Sequence, residues 1–301
     1  MTKRVISVFL CVLCVISSIS FIVSAKENKE YTSDNFLSVA DGIIAWKKAD
    51  NGSEPDGYLI NDKYLENAGT TPGDWYPIAL GRLGIQDNNE GYLAVIKDRV
   101  EERYRESGRL SAAKATEWHR IALAVLAMGG DPTNFGTDEN GAPINLIADG
   151  TYDRGKTTPL GRQGINGWIW GLITLDSMRY AVPDGAYNTR DDIIVEIISK
   201  QLSDGGFALS SDDADPDITA MAITALAPYY NSEKIYSYHR KALSADESKT
   251  AREVVDEAVL CLSRLQLDTG DYKSWGTQNV ESTDWVAVAL CSLCLLYTSD
   301  A

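Results

Sequence analysis

A ten-residue pattern of polar and apolar positions recurs five times along the chain. Each copy opens on a polar, mostly acidic residue, has Ala or Gly five residues later and Leu nine residues later. The opening residues are Asp74, Glu117, Asn166, Asp217 and Asp284. A repeat with a spacing of several tens of residues indicates one supersecondary unit used several times.

The repeated units predict helices that are buried on every side. Residues 220–227 and 286–293 are almost uninterruptedly apolar, and a helix without a polar face must be covered all round. The sixth position of each unit is small, which lets neighbouring helices approach closely. These small residues are Ala79, Ala122, Gly171, Ala222 and Ala289.

A second type of helix precedes most of the repeated units. Residues 36–48, 92–106, 191–202 and 252–266 have apolar side chains every three or four positions with charges between them. This pattern predicts helices with one buried stripe. The alternation predicts an all-α fold. A ring with buried helices inside and amphipathic helices outside satisfies it, and so does an open solenoid of helix pairs.

Two connections carry a further pattern, Gln201-x-x-x-Gly205-x-Phe207 and Gln266-x-x-x-Gly270-x-Tyr272. Together with an acidic residue that opens an Ala-rich helix, this pattern resembles the repeat of squalene and terpenoid cyclases and of protein prenyltransferase β-subunits. It is similar, more loosely, to cobalamin-carrier proteins. The resemblance implies an (α/α)6 toroid, which we expect to occupy residues 26–293.

The N-terminus is typical of a signal peptide. Lys3 and Arg4 precede an apolar run, and the small residues Ser24 and Ala25 allow cleavage after residue 25. The apolar run is also long enough for a membrane anchor. The polar residues that follow favour cleavage, so we expect residues 1–25 to be removed and the protein to be secreted or held at the cell surface, not integral to the membrane.

The repeat count predicts that part of the toroid lies beyond this sequence. Five repeated units are present where the resemblance implies six inner helices. Residues 294–301 are typical of translated sequencing adapter, so we expect a non-native tail here and a natural chain with a sixth helix pair and further domains. Residues 130–164 are rich in Gly, Pro and Asp and predict loops around a short turn at 144–148.

Charge excludes one class of partner. The formal net charge is −15, and nucleic-acid binding needs a basic surface. We therefore expect no nucleic-acid partner. The cysteines outside the signal peptide predict no disulfide framework.

The toroid would bring the repeated units to one rim. Parallel inner helices begin at the same end, so the openers Asp74, Glu117, Asn166, Asp217 and Asp284 are expected around one mouth. Concave cavities lined by aromatic and a few polar side chains bind small ligands. The aromatic candidates, with one histidine, are Trp75, Trp118, His119, Trp168 and Trp285.

Structural roles explain the same residues. Asp and Asn accept hydrogen bonds from the free amides at helix N-termini, where a carboxylate also suits the helix dipole. The tryptophans can fill the core, and His119 can be structural. Sequence leaves the ligand-binding and structural interpretations open.

Asp217 is the sharpest catalytic candidate. The segment Asp215-Pro-Asp217-Ile218-Thr resembles the motif with which class II terpenoid cyclases protonate an alkene or epoxide. The resemblance implies that Asp217 is the acid and that Asp215 belongs to the motif. Ile218 replaces the adjacent Asp of the family, which removes a carboxylate that helps to set the protonation of the acid.

Carbohydrate chemistry is a third interpretation. Unrelated (α/α) toroids include glycosidases and polysaccharide lyases, and Glu117 with Asp217 or Asp284 has the residue types of an acid–base pair.

The sequence gives less support to a metal site. The prenyltransferase zinc site needs Asp, Cys and His ligands, and the only histidines are His119 and His239. The Asp213-x-Asp215-x-Asp217 run fails the EF-hand register, so no metal or cofactor is expected.

These features predict a ligand-binding module that holds a small molecule or glycan in a central cavity. The alternative is an enzyme, either cyclase-like or a glycosidase or lyase, that uses the carboxylates of the rim.

Overall fold

The structure, a computed structural model, describes residues 33–154 and 159–298. This part of the chain is mostly α-helical, as the sequence predicts. The predicted signal peptide (1–25) lies outside the described residues, as do residues 299–301 of the predicted tail. Among the described residues, no helix combines the length and the apolar character needed to cross a membrane.

The helices follow the predicted order. They are α1 (Ser33–Asn51), α2 (Asp62–Leu65), α3 (Thr71–Leu83), α4 (Asn89–Ser107), α5 (Thr116–Ala127), α6 (Ile165–Asp176), α7 (Arg190–Ile198), α8 (Pro216–Leu226), α9 (Ala251–Leu265) and α10 (Val280–Thr298). The loop-rich segment between α5 and α6 contains a π-helical turn (Ala148–Tyr152) and a 3₁₀ turn (Leu160–Gln163).

Each repeated unit lies within one helix: α3, α5, α6, α8 or α10, which we call the repeat helices. These helices contact one another in chain order, α3 with α5, α5 with α6, α6 with α8 and α8 with α10. Of the helices between them, α7 packs on α6 and α9 on α8. The result is a row of repeat helices backed by amphipathic ones.

The repeat helices are not all buried on every side. α8 is covered over most of its surface, as predicted, but α10 exposes Val288 and α3 exposes Ala79. The prediction is wrong for these two helices because each lies at an end of the row and packs extensively on a single repeat helix. The close approach of α3 to α5 depends instead on Gly81, where a Cβ would lie 2.1 Å from the carbonyl oxygen of Ala127.

Amphipathic helices α4, α7 and α9 bury the predicted stripes. Tyr92, Ile96, Val100 and Tyr104, each four residues from the next, form the buried face of α4. α1 differs, because Trp46 is 62% exposed and most of its other large apolar side chains are also exposed. The predicted buried stripe is therefore not formed by α1 in the described part of the chain.

The two Gln-x-x-x-Gly-x-aromatic motifs form the same turn. Gln201 donates from Nε2 to the carbonyl oxygen of Gly205 at 2.8 Å, and Gln266 donates to Gly270 at 2.9 Å. Both glycines have positive φ, 89° and 88°, a backbone conformation that favours glycine. The motif thus has a structural explanation: the glutamine closes a turn and the aromatic residue enters the core.

Strands occur in two short hairpins, β1 (Ile235–Arg240) with β2 (Ala245–Thr250) and β3 (Lys273–Ser274) with β4 (Thr277–Gln278). Both pairs are antiparallel. Side chains of β1 alternate between exposed and buried, with Tyr236 and Tyr238 on the buried face. This strand was not predicted from the sequence, because its period-two alternation lies in a mostly polar segment. His239 lies on the exposed face.

Candidate functional site

Three tryptophans from three repeat helices meet around a cavity. The ring centroid of Trp170 in α6 lies 5.7 Å from that of Trp75 in α3 and 5.6 Å from that of Trp285 in α10. They line a cavity of about 450 Å³, which we call the central cavity. Its other lining residues are Thr71, Lys114, Thr116, Glu117, Arg120, Asn166, Met221 and Glu281.

A buried guanidinium forms the polar side of the central cavity. Arg120 Nη1 and Nη2 donate to the two carboxylate oxygens of Glu117 at 2.8 and 3.1 Å. Nε donates to Asp74 at 2.8 Å, and Nη1 also reaches the hydroxyl of Thr71. Paired donors and acceptors of this kind hold a fixed geometry. The cavity therefore has a polar wall of fixed geometry in addition to its indoles.

This pairing keeps Glu117 and Arg120 ionised. Burial alone would raise the pKa of Glu117, but hydrogen bonds and charge from Arg120 and Arg103 outweigh burial and lower it. Burial likewise disfavours the charged form of Arg120, yet Glu117 and Asp74 raise its pKa. Glu117 is thus a hydrogen-bond acceptor at neutral pH and is poorly suited to donate a proton.

Asn166 also lines the central cavity, and its side-chain carbonyl oxygen makes no hydrogen bond among the described residues. This oxygen, Oδ1, is buried. Buried polar atoms are satisfied in most native structures, so an orphan acceptor in a cavity wall is a site for a ligand donor or for water.

The repeat helices present two different faces to the central cavity. The first residue of the unit lines it in α5 and α6, namely Glu117 and Asn166, whereas in α3 and α10 the second residue does so, namely Trp75 and Trp285. Successive residues of an α-helix point about 100° apart. The two terminal repeat helices are therefore rotated by roughly that angle relative to α5 and α6.

That rotation explains which openers do not line the cavity. Asp74 is fully buried beneath it, where Oδ1 accepts from Gly69 N–H and from the Tyr92 hydroxyl, each at 2.7 Å. Asp284 is exposed and lines neither this cavity nor the second one. Placing all five openers on one rim was therefore wrong. The capping role expected for the openers is not seen at Asp74, since the cap position of α3 is Thr70.

Trp118 and His119 belong to the core, contrary to their predicted place at the rim. Trp118 donates from Nε1 to the Tyr104 hydroxyl at 2.7 Å, and the Arg154 guanidinium lies 4.0 Å from its ring centroid. His119 Nε2 lies 2.9 Å from the carbonyl oxygen of Gly150. Burial lowers the pKa of His119 to about 3, so the imidazole is neutral.

Trp168 also lies away from the central cavity. It is half-buried and packs against Gly161, where an added Cβ would come within 2.3 Å of its indole nitrogen. The reason is again helix geometry, since Trp168 and Trp170 are two residues apart and point to different faces of α6. Sequence reasoning chose Trp168 and missed Trp170, although Trp170 follows Asn166 by one helical turn.

The catalytic candidates line a second cavity of about 540 Å³ beside α8. Asp215 is the N-cap of α8, with Oδ1 accepting from the amides of Asp217 and Ile218, and it also accepts from the Ser274 hydroxyl. These bonds assign Asp215 a structural role. Asp217 is half-buried, and its Oδ1 has no hydrogen-bond partner among the residues that the structure describes.

Asp217 has the altered acidity expected of an acid. Burial raises its pKa, the charges of Asp215 and Glu281 add to the increase, and a hydrogen bond with Ser282 opposes it.

The described residues contain no group of three or more His, Cys, Asp or Glu side chains suited to a metal ion.

Comparison of the chain with protein-family models, with curated proteins and with solved structures finds no match.

Proposed function

We propose that this protein is a ligand-binding module that holds a small molecule or glycan in the central cavity. The observation that carries the proposal is the convergence of Trp75, Trp170 and Trp285, from three separate helices, on one concave space. Its volume, about 450 Å³, is within the range of small-molecule sites.

The same convergence supports the toroid implied by the family resemblance. α3 and α10 stand at opposite ends of the row of repeat helices, yet Trp75 and Trp285 both contact Trp170 in the middle of the row. A straight solenoid would separate its terminal repeats. We propose that the row curves around the central cavity as part of an (α/α) ring.

The lining favours an uncharged ligand with both apolar and polar faces. Indoles provide large flat apolar surfaces, while Asn166 provides an unpartnered acceptor. Arg120 is already paired with Glu117 and Asp74. The other charged side chains of the lining, Lys114 and Glu281, have opposite signs, so the lining has no excess of positive charge for an anionic ligand.

Binding is tested by calorimetric titration of the purified protein with a library of sugars and small polar aromatic compounds. Trp170→Ala should weaken binding of any ligand found by at least about tenfold, because central aromatic contacts dominate binding energy. Trp46→Ala is the matched control, since Trp46 lies on α1 outside the cavity. Unchanged affinity in Trp170→Ala would exclude the central cavity as the binding site.

An enzyme is the second candidate, favoured by Asp217. Its raised pKa and unpartnered oxygen suit a cyclase-like or carbohydrate-active general acid. Asp217→Asn should then abolish turnover of a substrate found by screening while the protein stays folded. Asp284→Asn, at an exposed opener, is the control. Full turnover by Asp217→Asn would rule out this role.

We also propose that the protein is exported, on the basis of residues 1–25. Expression in a bacterial host should yield a mature chain that begins at Lys26, as measured by intact mass. Recovery of the uncleaved chain in the membrane fraction would instead favour the anchor interpretation.

A further inference from the structure

The second cavity adjoins the central one. Met221 of α8 lines both, and Asp217, one helical turn before it, lines only the second. The carboxylate of Glu281, on the central side, is close enough to affect the acidity of Asp217. The two cavities therefore form neighbouring compartments along α8.

The second cavity has its own indole. Trp275, at the tip of the β3–β4 hairpin, is 85% exposed although tryptophan is mostly buried in folded proteins. The hairpin itself is anchored: β3 contacts both α8 and α10, and Ser274 donates a hydrogen bond to Asp215. It thus places an exposed indole beside a cavity of about 540 Å³.

The backbone at Trp275 points to a role for this side chain. Trp275 and Gly276 have φ of 54° and 79°, and together they form the two-residue turn of the hairpin. Turns with positive φ at both positions favour Asn, Asp or Gly at the first position, and bulky residues there are strained. Such strain is found preferentially at functional sites.

The polar groups of the second cavity favour hydroxyl donors and disfavour anions. Asp213, Asp215 and Asp217 outnumber the single cation, Lys273. Asp217 lines the cavity, and its buried Oδ1 has no hydrogen-bond partner among the described residues. Ser210 and Ser211 add hydroxyl groups to the wall. The combination of one flat apolar surface with several acceptors suits a sugar ring, which has apolar C–H faces and hydroxyl edges.

We propose that the second cavity is a further subsite and that the ligand is a neutral oligosaccharide spanning both cavities. One end occupies the central cavity against Trp170, and the chain continues past Met221 to stack on Trp275. This inference rests on the proposed function of the central cavity and assigns that site a ligand class.

The test is a chain-length series. Neutral homo-oligomers of glucose, xylose, mannose and N-acetylglucosamine, from monosaccharide to hexasaccharide, are titrated into the full-length protein and its variants by calorimetry. In at least one series, affinity should rise with length by at least about tenfold. Trp275→Ala should remove that gain and leave the affinity for the short oligomers unchanged, whereas Trp170→Ala should weaken every length. Galacturonate oligomers should not bind, because their carboxylates would be repelled by Asp213, Asp215 and Asp217 of the second cavity.

Three outcomes separate the two proposals. Equal binding of short and long oligomers, or long-oligomer binding unaffected by Trp275→Ala, would overturn the second subsite and leave the central cavity intact. Binding of other small molecules but of no oligosaccharide would overturn the ligand class alone. If nothing binds, both proposals fail. Trp46→Ala again serves as the control for loss of an exposed tryptophan.

Discussion

Arg120 and Asp74 form a buried ion pair between α5 and α3, with 2.8 Å between Nε and Oδ2. The other oxygen of Asp74 is bonded to Gly69 and Tyr92. This pair joins two repeat helices and supports the wall of the central cavity, because the same guanidinium holds Glu117.

Asp74→Ala should therefore destabilise the protein by about 3 kcal/mol, since it removes the acceptor of three buried donors. These donors are Arg120 Nε, the Gly69 amide and the Tyr92 hydroxyl. A lost helix cap would cost only about 1 kcal/mol. Asp284→Ala is the matched control at the exposed opener and should change stability by less than about 0.5 kcal/mol. Urea denaturation measures both. Equal effects of the two substitutions would contradict the buried pair.

The two Gln motifs provide a second matched pair. Gln201 is fully buried, and its Nε2 donates to Gly205 and to Val254 in α9. Gln266 is exposed and, within the described part of the chain, donates only to Gly270. Gln201→Ala should cost about 3 kcal/mol because it loses two buried hydrogen bonds and leaves a cavity. Gln266→Ala should cost less than about 1 kcal/mol. Thermal denaturation distinguishes them, and a larger loss for Gln266→Ala would refute the assignment.

His119 predicts a dependence of stability on pH. Its pKa falls from 6.5 to about 3 on folding, so the unfolded state binds more protons between these values. The stabilising contribution of neutral His119 is complete above pH 6.5 and declines as pH falls toward 3, by about 1.4 kcal/mol per unit.

His119→Gln keeps a donor for Gly150 but has no titrating ring. Its free energy of unfolding should fall less between pH 7.5 and 5.5 than that of the wild type, by roughly 1.4 kcal/mol. Chemical denaturation at the two pH values gives the comparison. Parallel pH profiles would show that His119 is not buried in its neutral form.

The positive φ of Trp275 leads us to expect that replacing its indole increases stability but weakens binding of long oligosaccharides. Trp275→Asn should stabilise the protein by about 1 kcal/mol, because asparagine tolerates positive φ and the exposed indole contributes little packing. Trp275→Ala keeps the strain and should gain less. Urea midpoints measure the effect, and a less stable Trp275→Asn would mean that the indole packs on the protein surface.

The candidate site was predicted only in part. Glu117, Asn166, Trp75 and Trp285 line the central cavity, and the spacing of the repeated unit placed all of them near helix N-termini. Trp118 and His119 occupy the core, because one residue along a helix changes the face by about 100°. Trp170 and Arg120 were missed, although each follows a predicted opener by one turn.

Hydrophobic periodicity is a local property, so the sequence alone determined where the helices lie and which of them are amphipathic. The Gln motifs likewise marked two connections, each closed by a hydrogen bond between residues four positions apart. Only the tertiary structure decided the rotation of each helix about its axis, because that angle depends on neighbours such as Ala127 against Gly81. Contacts between distant segments brought three indoles to one cavity and moved Asp74 from the predicted rim to a buried ion pair.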